Sequence, residues 1–135
     1  MKHLLVLLLL LTVGTLSAEI APEEYRGMQL NAFEHLEIKV LSVSKSYNLF
    51  SGNTKVKANA EVRTVIRSES NLTVGDRITI RYTHDKPRKF WAGPRSIPIL
   101  EKKEETTAFL AFDTENLVYV PAARGASFEP LIIEY

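Results

Sequence analysis

Residues Val56 to Arg67 read VKANAEVRTVIR, and the choice of fold follows from them. Val56, Ala58, Ala60, Val62, Thr64 and Ile66 fall on one side of an extended chain, with Lys57, Asn59, Glu61, Arg63, Val65 and Arg67 on the other. That period of two belongs to a strand with one buried and one wet face. Twelve residues are long for a strand, and small Ala58 and Ala60 on the inner side suit a sheet curved so tightly that its interior has little room. The stretch predicts a long bent strand of a small barrel.

Upstream, Leu36, Ile38 and Val40 alternate with Glu37 and Lys39, and then Leu41 and Val43 carry the apolar character on the other parity. One extra residue between Val40 and Ser42, a bulge or sharp bend, explains that exchange of faces. SYNLFSGNT (Ser46 to Thr54) supplies turn chemistry around Gly52 and Asn53. Before these, Pro22, Glu23 and Glu24 suit a helix first turn, and Tyr25, Met28, Ala32, Phe33 and Leu36 recur at three- and four-residue steps interrupted by Gly27. They predict a short helix within Glu19 to Leu36.

Downstream, Ile78, Ile80 and Tyr82 mark a second amphipathic strand over Asp76 to Tyr82, and THDKPRKFWAGPR (Thr83 to Arg95) reads as an extended loop. Ser96 to Leu100 reads as a short edge strand containing Pro98, Glu101 to Glu105 as a charged turn, Thr106 to Phe112 as a buried strand and Leu117 to Val120 as another. Pro121 to Pro130 is irregular, and Leu131 to Tyr135 suits a last strand. The chain is therefore expected to be all-β: a small OB-like barrel of five to six strands with a short N-terminal helix, or alternatively an immunoglobulin-like sandwich.

VKANAEVRTVIRSESNLTVGDRITIRY (Val56 to Tyr82), followed by Gly93-Pro94 and TTAFLAF (Thr106 to Phe112), resembles the OB-fold core of netrin-like domains and tissue inhibitors of metalloproteinases. The resemblance implies an OB barrel and an exported, non-enzymatic binding module. Those inhibitors clamp their target's zinc through an N-terminal Cys. This chain has no Cys, so neither that route nor its residues carry over.

Of the 135 residues, 45% are hydrophobic and 24% charged, a composition of one globular domain. Leu4 to Val13 is an apolar run broken only by Thr12, preceded by Lys2 and followed by Gly14, Thr15, Leu16, Ser17 and Ala18. This is the layout of a secretory signal peptide over residues 1–18, cleaved after Ala18, with a single domain over residues 19–135. The run is shorter than the roughly 20 apolar residues of a spanning helix. Export and the lack of Cys point to a bacterial periplasmic or secreted protein. Charge is segregated: residues 19–37 carry five acids and one base, residues 38–95 twelve bases and four acids, and residues 96–135 seven acids and three bases. The basic middle is either a surface for an anionic partner or is covered by the acidic ends.

The main partner signal is Lys86, Arg88, Lys89, Phe90, Trp91 and Arg95, near Arg77 and Arg81 on the wet face of the preceding strand, which Arg63 and Arg67 extend. Guanidinium and ammonium groups neutralise an anion while an aromatic face stacks on it. Alternatively, Phe90 and Trp91 plug the barrel. Export disfavours nucleic acid and favours an envelope glycan, a lipid headgroup or an acidic protein as partner.

No catalytic, metal or cofactor motif stands out. His35 lies one and two residues from Glu34 and Glu37, spacings that face apart on a helix, and reads as a surface histidine in an acidic patch. His84-Asp85 reads as a solvated loop pair, Glu101, Glu104 and Glu105 as a solvated turn, and Ser127 as half of a nucleophile elbow that lacks its closing Gly. Asn71-Leu72-Thr73 is a glycosylation sequon, meaningful only in a eukaryotic secretory pathway. The expected function is a binding module. An accessory subunit of an envelope complex, adding a strand at Ser96 to Leu100 or Leu131 to Tyr135, is the alternative, and a hydrolase around His84, Asp85 and Ser127 the second.

Overall fold

A computed structural model describes residues 21–86 and 95–133; the signal-peptide reading with its cleavage at Ala18 lies outside them. Helix α1 (Pro22–Asn31) leads into strands β1 (Glu34–Tyr47), β2 (Thr54–Ser68), β3 (Arg77–His84), β4 (Glu105–Asp113) and β5 (Val118–Pro121), followed by a single 3-10 turn (Arg124–Ala126). The strands close in the order β1-β2-β3-β5-β4, with β4 returning to pair antiparallel with β1 and β5 meeting β3 in parallel. This is a five-stranded OB-like barrel and not a two-layer sandwich.

Closure depends on where β1 and β2 break register. Val40 pairs with Ala60 and Ser42 with Asn59, so Leu41 is the extra residue that the change of parity predicted. Two further slips lie in β2: Leu36 pairs with Val65 and Ile38 with Val62, leaving Arg63 as the extra residue, and Ile66 is passed over between the partners of His35 and Leu36. The strict alternation expected through Ile66 therefore fails. Past Val62 the inward position belongs to Val65, while Thr64 and Ile66 face solvent. Bulges of this kind raise the local twist and bend a long strand around a small circumference.

Inside the barrel, Leu36, Ile38, Val40, Val62, Ile78, Ile80 and Leu110 pack around Ala58, Ala60 and Ala108, whose small side chains leave the larger ones space. Leu100 and Phe128 complete this core from outside the strands. Ser96 to Leu100 is not an edge strand. It is an irregular segment that sends Leu100 into the core, held by Tyr82, whose hydroxyl donates to the carbonyl of Pro98 (2.8 Å) and accepts from the N–H of Leu100 (2.9 Å). Pro98 lacks a donor, and the side-chain anchor replaces a ladder. Residues 131–133 form no strand either, and Glu134 and Tyr135 lie outside the described residues.

A second, smaller core sits outside the barrel. Helix α1 begins with Pro22 and the acids Glu23 and Glu24, as the unpaired N–H groups of a first turn favour. It buries Tyr25 and Gln29 and covers the outward-facing Phe109 of β4 together with Ala32, Ala123 and Ala126. Leu36, expected at the end of the helical pattern, belongs to β1. The last turn of α1 has no basic residue of its own; Arg67 of β2 supplies one, donating from Nε to the carbonyl of Ala32 (2.9 Å) and from Nη2 to that of Gln29 (3.0 Å).

The fully buried Gln29 amide ties α1 to the segment around and after the 3-10 turn. Its Nε2 donates to the carbonyls of Ala126 (3.0 Å) and Pro130 (3.2 Å), and its Oε1 accepts from the N–H of Ile132 (2.9 Å). Among the described residues, no helix is long and apolar enough to cross a membrane. Replacing Gln29 by Leu leaves these groups without partners and is predicted to cost about 3 kcal/mol. Gly125→Ala should cost about 2 kcal/mol, because a Cβ there would lie 2.6 Å from Cβ of Arg95 and 2.8 Å from its carbonyl oxygen. Urea denaturation with an unchanged m-value checks both.

Candidate functional site

The barrel's outer face along β1, β2 and β3 is set by register. Lys57 stands between Ser44 of β1 and Arg81 of β3, and Lys55 between Ser46 and Thr83, so two rows of outward side chains run side by side across three strands. Beside them, Thr79 Oγ1 donates to Asn59 Oδ1 (3.0 Å) and Asn59 Nδ2 donates to Ser42 Oγ (3.0 Å), which orders the next row. β5 contributes Val118 and Val120, and the β4–β5 turn Asp113 and Asn116. These residues border an open groove of about 530 Å³, which Lys55, Lys57 and Arg81 reach from the outer face and Lys45, the exposed partner of buried Val56, from the opposite parity of β1.

Its four bases share the groove with a single acid, Asp113. Among the described residues, ion pairs join Arg63 to Glu61 and Arg95 to Glu129, and none of the four groove bases takes part in one. Lys57 and Arg81 are direct cross-strand partners of like charge, an arrangement that costs stability. Asp113, the one acid lining the groove, accepts from Asn116 Nδ2 (2.9 Å) and from the backbone N–H groups of Glu115 and Asn116. Those bonds, led by the Asn116 side chain, and lastly the charge of Arg81 lower its pKa, so it stays ionised while holding its own turn. Tyr82 also lines the groove, and burial pushes its pKa up to about 12, keeping the phenol protonated as the anchor of Pro98 and Leu100.

The expected partner residues divide. Arg81 lies in the groove, Arg77 is exposed on the same strand opposite Glu61, and Lys86 is exposed just beyond β3. Arg88, Lys89, Phe90 and Trp91 lie outside the described residues. Arg95 is occupied: its guanidinium makes a two-pronged contact with Glu129 (3.0 and 3.3 Å) and stacks 4.5 Å over the Tyr25 ring, while its N–H donates to the Tyr25 hydroxyl (2.8 Å). Arg67 caps α1 and Arg63 faces Glu61, so neither extends the groove. Lys45, Lys55 and Lys57 were not singled out from the sequence. Lys55 and Lys57 share the outward parity, yet only strand pairing reveals their proximity to Arg81.

The other candidate groups have structural partners. His84 is the last residue of β3 and not part of a loop; its Nδ1 is 2.7 Å from the carbonyl of Ile97, which can only accept, so Nδ1 carries the proton. Ser127 is buried, its hydroxyl donating to the carbonyl of Arg124 (2.7 Å) and accepting from the N–H of Ala123 (2.9 Å). The two share no hydrogen bond. Glu104 accepts from the N–H of Glu101 across their turn. Among the described residues, no group of acids and histidines is arranged to hold a metal ion. Neither a protein-family model nor a curated protein matches this chain.

His35 is not a histidine in an acidic patch. It stacks on Phe109 (4.1 Å between ring centroids) opposite Arg67, and burial first, then the charge of Arg67, lower its pKa, with Glu37 opposing. The fold thus favours neutral imidazole. Its contribution to stability is present above the unfolded value, about pH 6.5, and is lost as pH falls through the lowered native value. His35→Gln should weaken the acid dependence of the urea midpoint in that window, and an unchanged pH profile would count against this assignment.

Proposed function

We propose that this chain is an exported binding module of the periplasm or extracellular space, which engages an anionic partner through the groove of Lys45, Lys55, Lys57 and Arg81. The observation that carries this reading is the direct cross-strand pairing of Lys57 with Arg81, two like charges that take part in none of the ion pairs among the described residues and share the groove with a single acid, Asp113. Such repulsion weakens the free protein and is relieved when an anion enters. Two further features support it. OB barrels use the β2–β3 face and the loops after β1 and β4 to hold oligonucleotides and oligosaccharides, and the leader-like residues 1–18 direct the choice toward envelope glycans, lipid headgroups or acidic proteins. The resemblance to netrin-like domains agrees with a binding role. Strand addition at Ser96 to Leu100 is less well supported, because that segment is irregular and sends Leu100 inward.

The like-charge pair allows binding to be separated from folding. Lys57→Glu places a carboxylate opposite Arg81 and is expected to raise stability by about 0.5 kcal/mol, while weakening retention on dextran sulfate and lowering the slope of log affinity against log salt by about one or more. Unchanged retention with unchanged salt dependence would refute the groove as the anion site.

A further inference from the structure

The turn joining β1 and β2 is closed by its own polar groups. Asn48 Oδ1 accepts from the N–H groups of Phe50 (2.8 Å) and Ser51 (3.2 Å), and the carbonyl of Asn48 accepts from Gly52 (2.9 Å). The N–H of Asn48 donates to the carbonyl of Asn53 (2.9 Å), and Gly52 takes the left-handed φ of 73° that the turn requires. None of this uses the side chains of Leu49 and Phe50. Both point away from the protein, at 85% and 102% exposure, with Tyr47 also exposed at the base of the turn. Two large adjacent apolar side chains are thus held in water on a turn that closes without them, and such exposure marks a contact surface.

The surroundings select the partner. Immediately behind the tip stand Lys45, Lys55 and Lys57, unpaired among the described ion pairs, with Arg81 beyond them. A second copy of the chain seated tip to tip would bring two such cationic collars together. An anionic bilayer matches both parts at once, accepting apolar side chains at the boundary of headgroups and acyl chains while its headgroups meet the lysines. Of the acids in the β4–β5 turn, Asp113 lines the groove, where it feels the charge of Arg81 and is held by Asn116. We propose that the β1–β2 hairpin tip is a membrane-contact element, inserting Leu49 and Phe50 into the surface of an anionic bilayer while Lys45, Lys55 and Lys57 bind its headgroups. This rests on the cationic-groove reading and names its anion.

Because the chain has no Cys, Ser51→Cys accepts a single environment-sensitive nitrobenzoxadiazole label beside the tip. With vesicles of phosphatidylcholine and phosphatidylglycerol, the label is expected to shift to the blue and to be quenched by lipid-borne quenchers, with no change on phosphatidylcholine alone. Leu49→Ser with Phe50→Ser should weaken vesicle binding about tenfold or more and leave dextran sulfate binding within about twofold, whereas Lys55→Glu with Lys57→Glu should weaken both. Unfolding midpoints should match the parent protein for the tip pair, whose side chains pack against nothing. Binding to dextran sulfate without binding to vesicles overturns the membrane contact and leaves the groove reading standing; so does vesicle binding with the label still in water, or a dimer in sedimentation that Phe50→Ser dissolves. Failure to bind either probe overturns both readings.

Discussion

Leu41 has no partner on β2, and which side chains face inward or outward along the rest of β1 depends on that extra residue. It separates the part of β1 that pairs with both β2 and β4, Glu34 to Lys39, from the part beyond that pairs with β2 alone. It also fixes which side chains look outward beyond it. With the bulge, Val43 faces Ala58 inside, and Ser44 and Ser46 join Lys57 and Lys55 on the outer face. Without it, Val43 would turn to solvent and the outer rows would change composition. The same local irregularity thus sets both the inward position of Val43 and the outward rows of the cationic groove.

The opposite face shows how the other charged side chains are used. Arg67 caps α1, Arg95 is shared between Glu129 and the Tyr25 ring, and the Gln29 amide joins the helix to backbone groups about a hundred residues later in the chain. Arg95 and Glu129 are one instance of an acidic end folding back on the basic middle. The groove bases stay outside this arrangement. Charge segregation along the sequence therefore resolves into two populations, one consumed in holding the small outer core to the barrel and one left facing water.

Period-two patterning made β2 and β3 legible, the apolar run TTAFLAF made β4 so, and the change of parity at Val40 to Ser42 located the bulge of β1. The two slips in β2 were not legible, because Arg63 and Ile66 fit an unbroken alternation by composition and only pairing with β1 displaces them. Ser96 to Leu100 looked like a strand because Ile97, Ile99 and Leu100 are apolar, but the backbone there is anchored by a tyrosine hydroxyl that no local pattern announces. The site was only partly legible. Attention fell on the dense basic run around residues 86–95, whereas the groove gathers Lys45, Lys55, Lys57 and Arg81 from three strands.

A rigid barrel that leaves like charges facing each other is suited to bind an anion with little rearrangement, since the ligand meets preformed rows of cations on strands and not on loops. The most direct measurement of this account is an amide chemical-shift map on titration with a short sulfated oligosaccharide. Perturbations concentrated at Ser44, Lys55, Lys57, Arg81 and Val120 are predicted. Perturbations confined to α1 and the Arg95 and Glu129 region, with the groove amides unmoved, would contradict it.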